Sequence, residues 1–146
     1  MTKTILLVED NASDEKLTVL ALKKCGVDHR VAVVRDGAEA LDYLFAIGLH
    51  ATRDPLELPV LVLLDLKLPK LNGLEVLERI RAHERTRDLP VVILTSSRQD
   101  QDISRGYACG ANAYIRKPVD HAEFVEAARA LGVFWLLLNE PPRPPR

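Results

Sequence analysis

Apolar positions along the chain follow two alternating periods. Short runs of leucine and β-branched residues are each followed by a longer segment with apolar residues at helical spacing. Residues 4–8 form the first run, which ends on Glu9-Asp10. Ser13 is placed to cap a helix over about 14–25, with Leu17, Leu20, Ala21 and Leu22 on one face and Gly26 at its stop. Residues 30–34 read as a second strand. Asp36-Gly37 opens a helix that carries Ala40, Leu41, Leu44 and Phe45 and ends near Gly48. Residues 49–59 form a loop with Pro55 and Pro59.

The third run, 60–64, is apolar throughout, the pattern of a strand buried on both faces of a parallel sheet. It ends on Asp65. Residues 66–72 lead through Gly73 into a helix with Leu74, Val76, Leu77 and Ile80. A fourth strand over 90–94 ends on Thr95, and the polar segment 96–102 starts a fourth helix that fades at Gly110. Residues 113–115 make a short fifth strand running into Lys117-Pro118. The last helix runs from near Asp120 to about Leu138. Five strands alternating with five helices predict an α/β, doubly wound (βα)5 fold with a five-stranded parallel sheet and right-handed crossovers. One domain is expected over 1–139, followed by a proline-rich flexible tail over 140–146.

Composition narrows the function classes. The chain has 146 residues, one domain's worth, and its charges nearly cancel at a net of −1, which gives no electrostatic reason to expect nucleic acid or an anionic membrane as partner. Neither a signal peptide nor a membrane span is expected. Cys25 and Cys109 form no motif, and both fit a reducing, cytoplasmic setting. The four histidines are scattered and read as surface residues.

The polar residues that end the strands carry the chemistry. In open α/β sheets the site lies beyond the carboxyl ends of the strands. There the chain places Glu9, Asp10 and Asp65, with Thr95-Ser96 and Lys117. Singly, each is an ordinary charge at a strand end. Jointly, polar groups at four of five strands are hard to explain that way. Three close carboxylates repel unless a cation neutralises them. Mg²⁺ suits such a set, because it takes one or two carboxylates, keeps waters and leaves room for a phosphate oxygen. A carboxylate can attack a phosphoryl group, with Mg²⁺ and Lys117 as cations and Thr95 as hydroxyl donor.

These pieces resemble the CheY-like receiver domains of two-component response regulators. The matching fragments are Leu7-Val8-Glu9-Asp10-Asn11, Leu63-Leu64-Asp65-Leu66-Lys67-Leu68-Pro69, Asn72-Gly73, Val92-Ile93-Leu94-Thr95, Gly110-Ala111 and Lys117-Pro118, in the family's order. The resemblance implies a flavodoxin-like fold with strand order 2-1-3-4-5. It implies that Asp65 accepts phosphate, and that Asp10, Asp65 and the backbone carbonyl of Lys67 bind Mg²⁺, with Glu9 reaching it through water. Thr95 and Tyr114 would be the switch pair, Lys117 would hold a phosphoryl oxygen, and a cis peptide would precede Pro118. Many receivers have Asn or another small polar residue where Lys67 stands. Lys67 is therefore expected to alter the lifetime of the phospho-form, unless it simply points to solvent.

The long loop 49–59, the Asp42-Tyr43-Leu44 helix, the Asn112-Ala113-Tyr114 segment and the Phe134-Trp135-Leu136 end resemble the subfamily of single-domain regulators paired with bacterial phytochromes and related hybrid-type histidine kinases. That resemblance implies a sensor histidine kinase as partner, here a bacteriophytochrome, and a homodimer. The sequence 130–138 is apolar on every side, unlike an amphipathic surface helix. Phe134, Trp135 and Leu138 are accordingly expected at a dimer interface, with the domain's own core complete by about residue 129; the other reading folds this end over the core. Because the chain stops after the fifth helix, output through protein contacts is expected, without a DNA-binding domain. Two other functions compete. A haloacid-dehalogenase-like phosphatase needs a second Asp two residues after the nucleophile, where this chain has Lys67. A binding module that has lost phosphorylation would not need the whole set of Glu9, Asp10, Asp65, Thr95 and Lys117.

Overall fold

A computed structural model describes residues 3–96, 99–117 and 120–140. The strands are β1 (Lys3–Val8), β2 (His29–Val34), β3 (Leu61–Leu64), β4 (Val91–Thr95) and β5 (Ala113–Arg116). They alternate with helices α1 (Ala12–Lys23), α2 (Gly37–Phe45), α3 (Gly73–Ala82), α4 (Asp100–Ala108) and α5 (His121–Val133). The five strands pair in parallel in the order β2-β1-β3-β4-β5, the flavodoxin-like arrangement expected.

The period of two along each strand sorts the core into two layers. Leu6, Val8, Val62, Leu64, Val91 and Ile93 face one side, where Leu41 and Leu44 of α2 and Val76, Leu77 and Ile80 of α3 cover them. Ile5, Leu7, Leu61, Leu63 and Val92 face the other, against Leu22 of α1 and Leu131 of α5. All four residues of β3 are fully buried, as a central parallel strand requires. The edge strands β2 and β5 are mostly half-buried.

Local details correct parts of the sequence reading. Asn11, not Ser13, caps α1, its side chain accepting from the Asp14 amide at 3.0 Å. Both residues are good caps, and a start at Ala12 leaves Ser13 exposed within the first turn. Asp36 caps α2 as expected, accepting from Glu39 N at 2.7 Å. That helix ends at Phe45, because Ala46 turns left-handed with φ 55°; Gly48 instead opens a short 3-10 turn, Gly48–His50. The loop beyond is fixed by Arg53, whose guanidinium lies 3.7 Å from the Tyr43 ring centroid and donates to the Tyr43 and Glu57 carbonyls.

The end of the chain departs more. α5 passes into a π-helical turn, Phe134–Leu138. The changed winding points Leu136 inward, where it is 1% exposed beside Ile5, Leu7, Leu22 and Leu131. Lys3 Nζ donates to the Leu136 carbonyl at 2.7 Å. The core therefore extends to residue 136 rather than closing near 129. Trp135 is half-buried on the same cluster, while Phe134, Leu137 and Leu138 stay exposed. The expected cis peptide at Pro118 and the tail beyond Glu140 lie outside the described residues.

Candidate functional site

Each strand of the site hands one polar residue to the carboxyl edge, and the backbone ladder holds it there. Glu9 N donates to Val34 O at 3.0 Å, Asp65 N to Val8 O at 3.1 Å and Lys117 N to Thr95 O at 2.7 Å. Parallel pairing thus continues one residue past the ends of β1, β3 and β5. α3 presses on the same point. Gly73 N donates to Leu66 O at 2.9 Å, and a Cβ at Gly73 would lie 2.3 Å from the Asp65 carbonyl oxygen. Only glycine allows that approach, which accounts for the Asn72-Gly73 pair in the sequence.

Asp65 is 7% exposed. Its Oδ1 accepts from Thr95 Oγ1 at 3.1 Å and from the Lys67 amide at 3.1 Å. Its Oδ2 accepts from Lys117 Nζ at 2.9 Å. The same ammonium donates to Glu9 Oε1 and, at 2.8 Å, to Asp14 Oδ2. Glu9, Asp65, Thr95 and Lys117 are all buried, while Asp10 is exposed. The edge thus has a dry floor and an acidic rim.

Electrostatics follow from that enclosure. Burial pushes the Glu9 carboxyl up to about 7, against the pull of Lys117 and with the Asp65 charge adding to the rise. Burial alone would lower Lys117, but its hydrogen bonds to Asp14 and Glu9 and the nearby Asp65 hold it above the usual lysine range. The site therefore carries more carboxylate than one ammonium neutralises. Carboxylate oxygens of Glu9, Asp10 and Asp65 lie within 4.8 Å of one another, so a single hard cation can reach all three. The residues fit a divalent metal.

The structure brings together Glu9, Asp10, Asp65, Thr95 and Lys117 as the sequence predicted. Lys67 contributes its backbone amide to Asp65, and its side chain is exposed. Tyr114 stands one strand over, opposite Ile93 in register and half-buried against that layer of the core. A Cβ at Gly106 of α4 would meet its ring at 3.2 Å, so the ring is seated under α4. Phe134, Trp135 and Leu138 belong to the turn beside Lys3, at the amino end of β1 and away from the acidic edge. Sequence reasoning missed Asp14. It reads as an ordinary first-turn carboxylate, and its contact with Lys117 spans 103 positions.

Residues 5–129 match the response regulator receiver domain family. Response regulator Rcp1 of Synechocystis sp. is 35% identical over 134 residues, 92% of this chain and 89% of its own. The crystal structure of its Mn²⁺-bound form superposes with a TM-score of 0.89, covering 97% of this chain and 99% of that one at 34% identity. The phosphorylated cyanobacterial phytochrome response regulator RcpA gives a TM-score of 0.90 at 38% identity, covering 98% and 100%. The bacteriophytochrome response regulator AtBRR is 52% identical, with a TM-score of 0.75 and coverage of 96% and 99%. Family match, sheet order and acidic edge agree: this chain belongs to the response regulator receivers, phosphoacceptor domains that act as phosphorylation switches.

Proposed function

We propose that Asp65 is the phosphoacceptor, that Mg²⁺ is the metal at Glu9, Asp10 and Asp65, and that a sensor histidine kinase is the donor. One observation carries this reading. Asp65 is the carboxylate that Thr95, Lys117 and the Lys67 amide all address, inside the three-carboxylate group. An Asp65 oxygen forms the O–P bond as the P–N bond of the donor's phosphohistidine breaks, with the electron pair leaving on the imidazole nitrogen. Mg²⁺ bound there would offset the carboxylates and the charge of the phosphoryl oxygens. Lys117 holds one phosphoryl oxygen through its ammonium, and Thr95 donates its hydroxyl to another. Buried walls around Glu9 and Thr95 limit water and strengthen these contacts.

Thr95 and Tyr114 form the switch pair, since Thr95 ends β4 beside Asp65 and Tyr114 lies on β5 under α4. The exposed Lys67 side chain modulates the lifetime of the phospho-form from the rim. Likeness to RcpA and AtBRR, a phytochrome and a bacteriophytochrome response regulator, supports a bacteriophytochrome as the kinase. Exposed Phe134 and Leu138 beside half-buried Trp135 support a homodimer through the C-terminal turn. Sedimentation at tens of micromolar tests it; a monomer there removes the dimer.

The central test compares wild type with Asp65→Asn after incubation with acetyl phosphate. Mass spectrometry should detect a phosphoryl adduct on the wild type that requires Mg²⁺, and none on the variant. An adduct of equal yield on Asp65→Asn would reject the assignment.

A further inference from the structure

Lys117 reaches three acceptors, and one of them has no part in the phosphoryl site as drawn so far. An ammonium has three protons and no more. Here they point to Glu9 Oε1, Asp14 Oδ2 and Asp65 Oδ2. A phosphoryl oxygen that takes a hydrogen bond from Lys117 must displace one of these. We infer that Asp14 is the displaceable partner, a positioning residue that holds Lys117 toward α1 until a phosphoryl group claims its proton.

This inference rests on the reading of Asp65 as phosphoacceptor. Three observations single out Asp14. Its side chain is 30% exposed, against 3% for Glu9 and 9% for Asp65. Released, it can be hydrated at once, whereas Glu9 would be left without its partner in a dry pocket, and Asp65 is the residue that carries the phosphoryl group itself. Its backbone is fixed, with its amide on the Asn11 cap and its carbonyl accepting from Thr18 Oγ1 at 2.8 Å. Only the side chain is therefore free to rotate away. Finally, Asp14 sits in the first turn of α1, where a carboxylate remains favourable beside the helix amides without Lys117. The contact also ties α1 to the strand end of β5, so its release loosens that tie when the phosphoryl group arrives.

The consequence is a competition that can be measured. With Asp14 in place, binding of a phosphoryl group gives up a charge-assisted hydrogen bond. Without it, the same group gains Lys117 uncontested. Beryllofluoride, a stable mimic of the aspartyl phosphoryl group, serves as the probe at saturating Mg²⁺, with affinity read by calorimetry. Asp14→Asn keeps size but loses charge, and Asp14→Ala removes the acceptor. Both should bind beryllofluoride about tenfold more tightly than wild type. Asp14→Glu, which restores a carboxylate, should return toward the wild-type affinity. A purely structural role would lower the melting temperature and leave affinity unchanged or weaker. Unchanged or weakened binding in both Asp14→Asn and Asp14→Ala overturns the role of Asp14 while leaving Asp65 as phosphoacceptor untouched. A wild type that binds no beryllofluoride and forms no adduct overturns the reading of Asp65 and this role together.

Discussion

The sheet has a buried or half-buried cation at each end, and the two are partnered in opposite ways. At the carboxyl edge, Lys117 lies among Glu9, Asp14 and Asp65. At the amino edge, Arg81 leaves the end of α3 and donates to neutral oxygens: Gly110 O from Nε at 2.9 Å and Nη2 at 2.8 Å, Leu89 O at 2.6 Å, Arg87 O at 3.0 Å and Asn112 Oδ1 at 2.9 Å. The planar guanidinium fits such fixed carbonyls, which cannot titrate or turn away. Burial lowers the Arg81 pKa, yet no proton can usefully leave a group so far from its range. The Arg81 end is a clamp across the α3–β4 and α4–β5 turns. The Lys117 end is over-supplied with negative charge and open to exchange. On the function proposed above, one fold thus keeps its fixed connection and its switch on opposite edges of the same strands.

The clamp should dominate stability. Arg81→Ala leaves the Leu89 and Gly110 carbonyls without their donor where the chain enters β4 and β5. The expected loss is about 3 kcal/mol in urea unfolding. Below its transition, the variant should still form the Mg²⁺-dependent phosphoryl adduct at close to the wild-type rate. A stable variant, or a folded one that no longer phosphorylates, would erase the division of labour between the two ends.

Lys117 should behave differently, because its role can be taken over. Lys117→Met keeps the apolar stem and removes the charge. Without metal, Glu9 and Asp65 lose the charge-assisted hydrogen bonds of their counterion, at a cost of about 2 kcal/mol. Added Mg²⁺ should recover most of that loss, since the carboxylates it meets are no longer shared. The stabilisation by Mg²⁺ should therefore be larger in Lys117→Met than in wild type, and Arg81→Ala should show no such excess. Equal Mg²⁺ stabilisation in all three proteins would mean that the carboxylates are not competed for.

The two ends were not equally legible in the sequence. Glu9, Asp65 and Thr95 could be placed because each directly ends an apolar run, Lys117 because it follows the fifth run after Arg116 alone, and parallel strands must finish on one edge. The fully apolar Leu61–Leu64 announced the central strand. Arg81 gave no such sign. It lies beside Glu78 and Arg79 on a helix of ordinary amphipathic pattern, and most of its partners are backbone carbonyls that carry no residue identity. Asp14 was hidden for a related reason, since a first-turn carboxylate already has a local explanation. In the C-terminal run the period hides one core residue, Leu136. Read at 3.6 residues per turn, 130–138 is apolar all round; the π turn admits Leu136 to the core and leaves Phe134, Leu137 and Leu138 outside.

The smallest effect tests whether charge alone would turn the clamp into a switch. Asn112 is the one side chain among the acceptors of Arg81, and its Oδ1 also accepts from Val91 N at 2.8 Å. Asn112→Asp preserves that acceptor and adds a negative charge, making this end a pale copy of the other. Asn112 is exposed, so water screens the new ion pair, and the change in stability should stay within about 0.5 kcal/mol. Mg²⁺ should have no added effect, because the new carboxylate is held by Arg81 and Val91 N and, with Asp88 as the neighbouring charge, makes no three-carboxylate group for a hard cation. A marked Mg²⁺ response of Asn112→Asp beyond that of wild type would mean that one charge suffices. The absence of a response would locate the switch property in the crowding of carboxylates around Lys117, which the amino edge lacks.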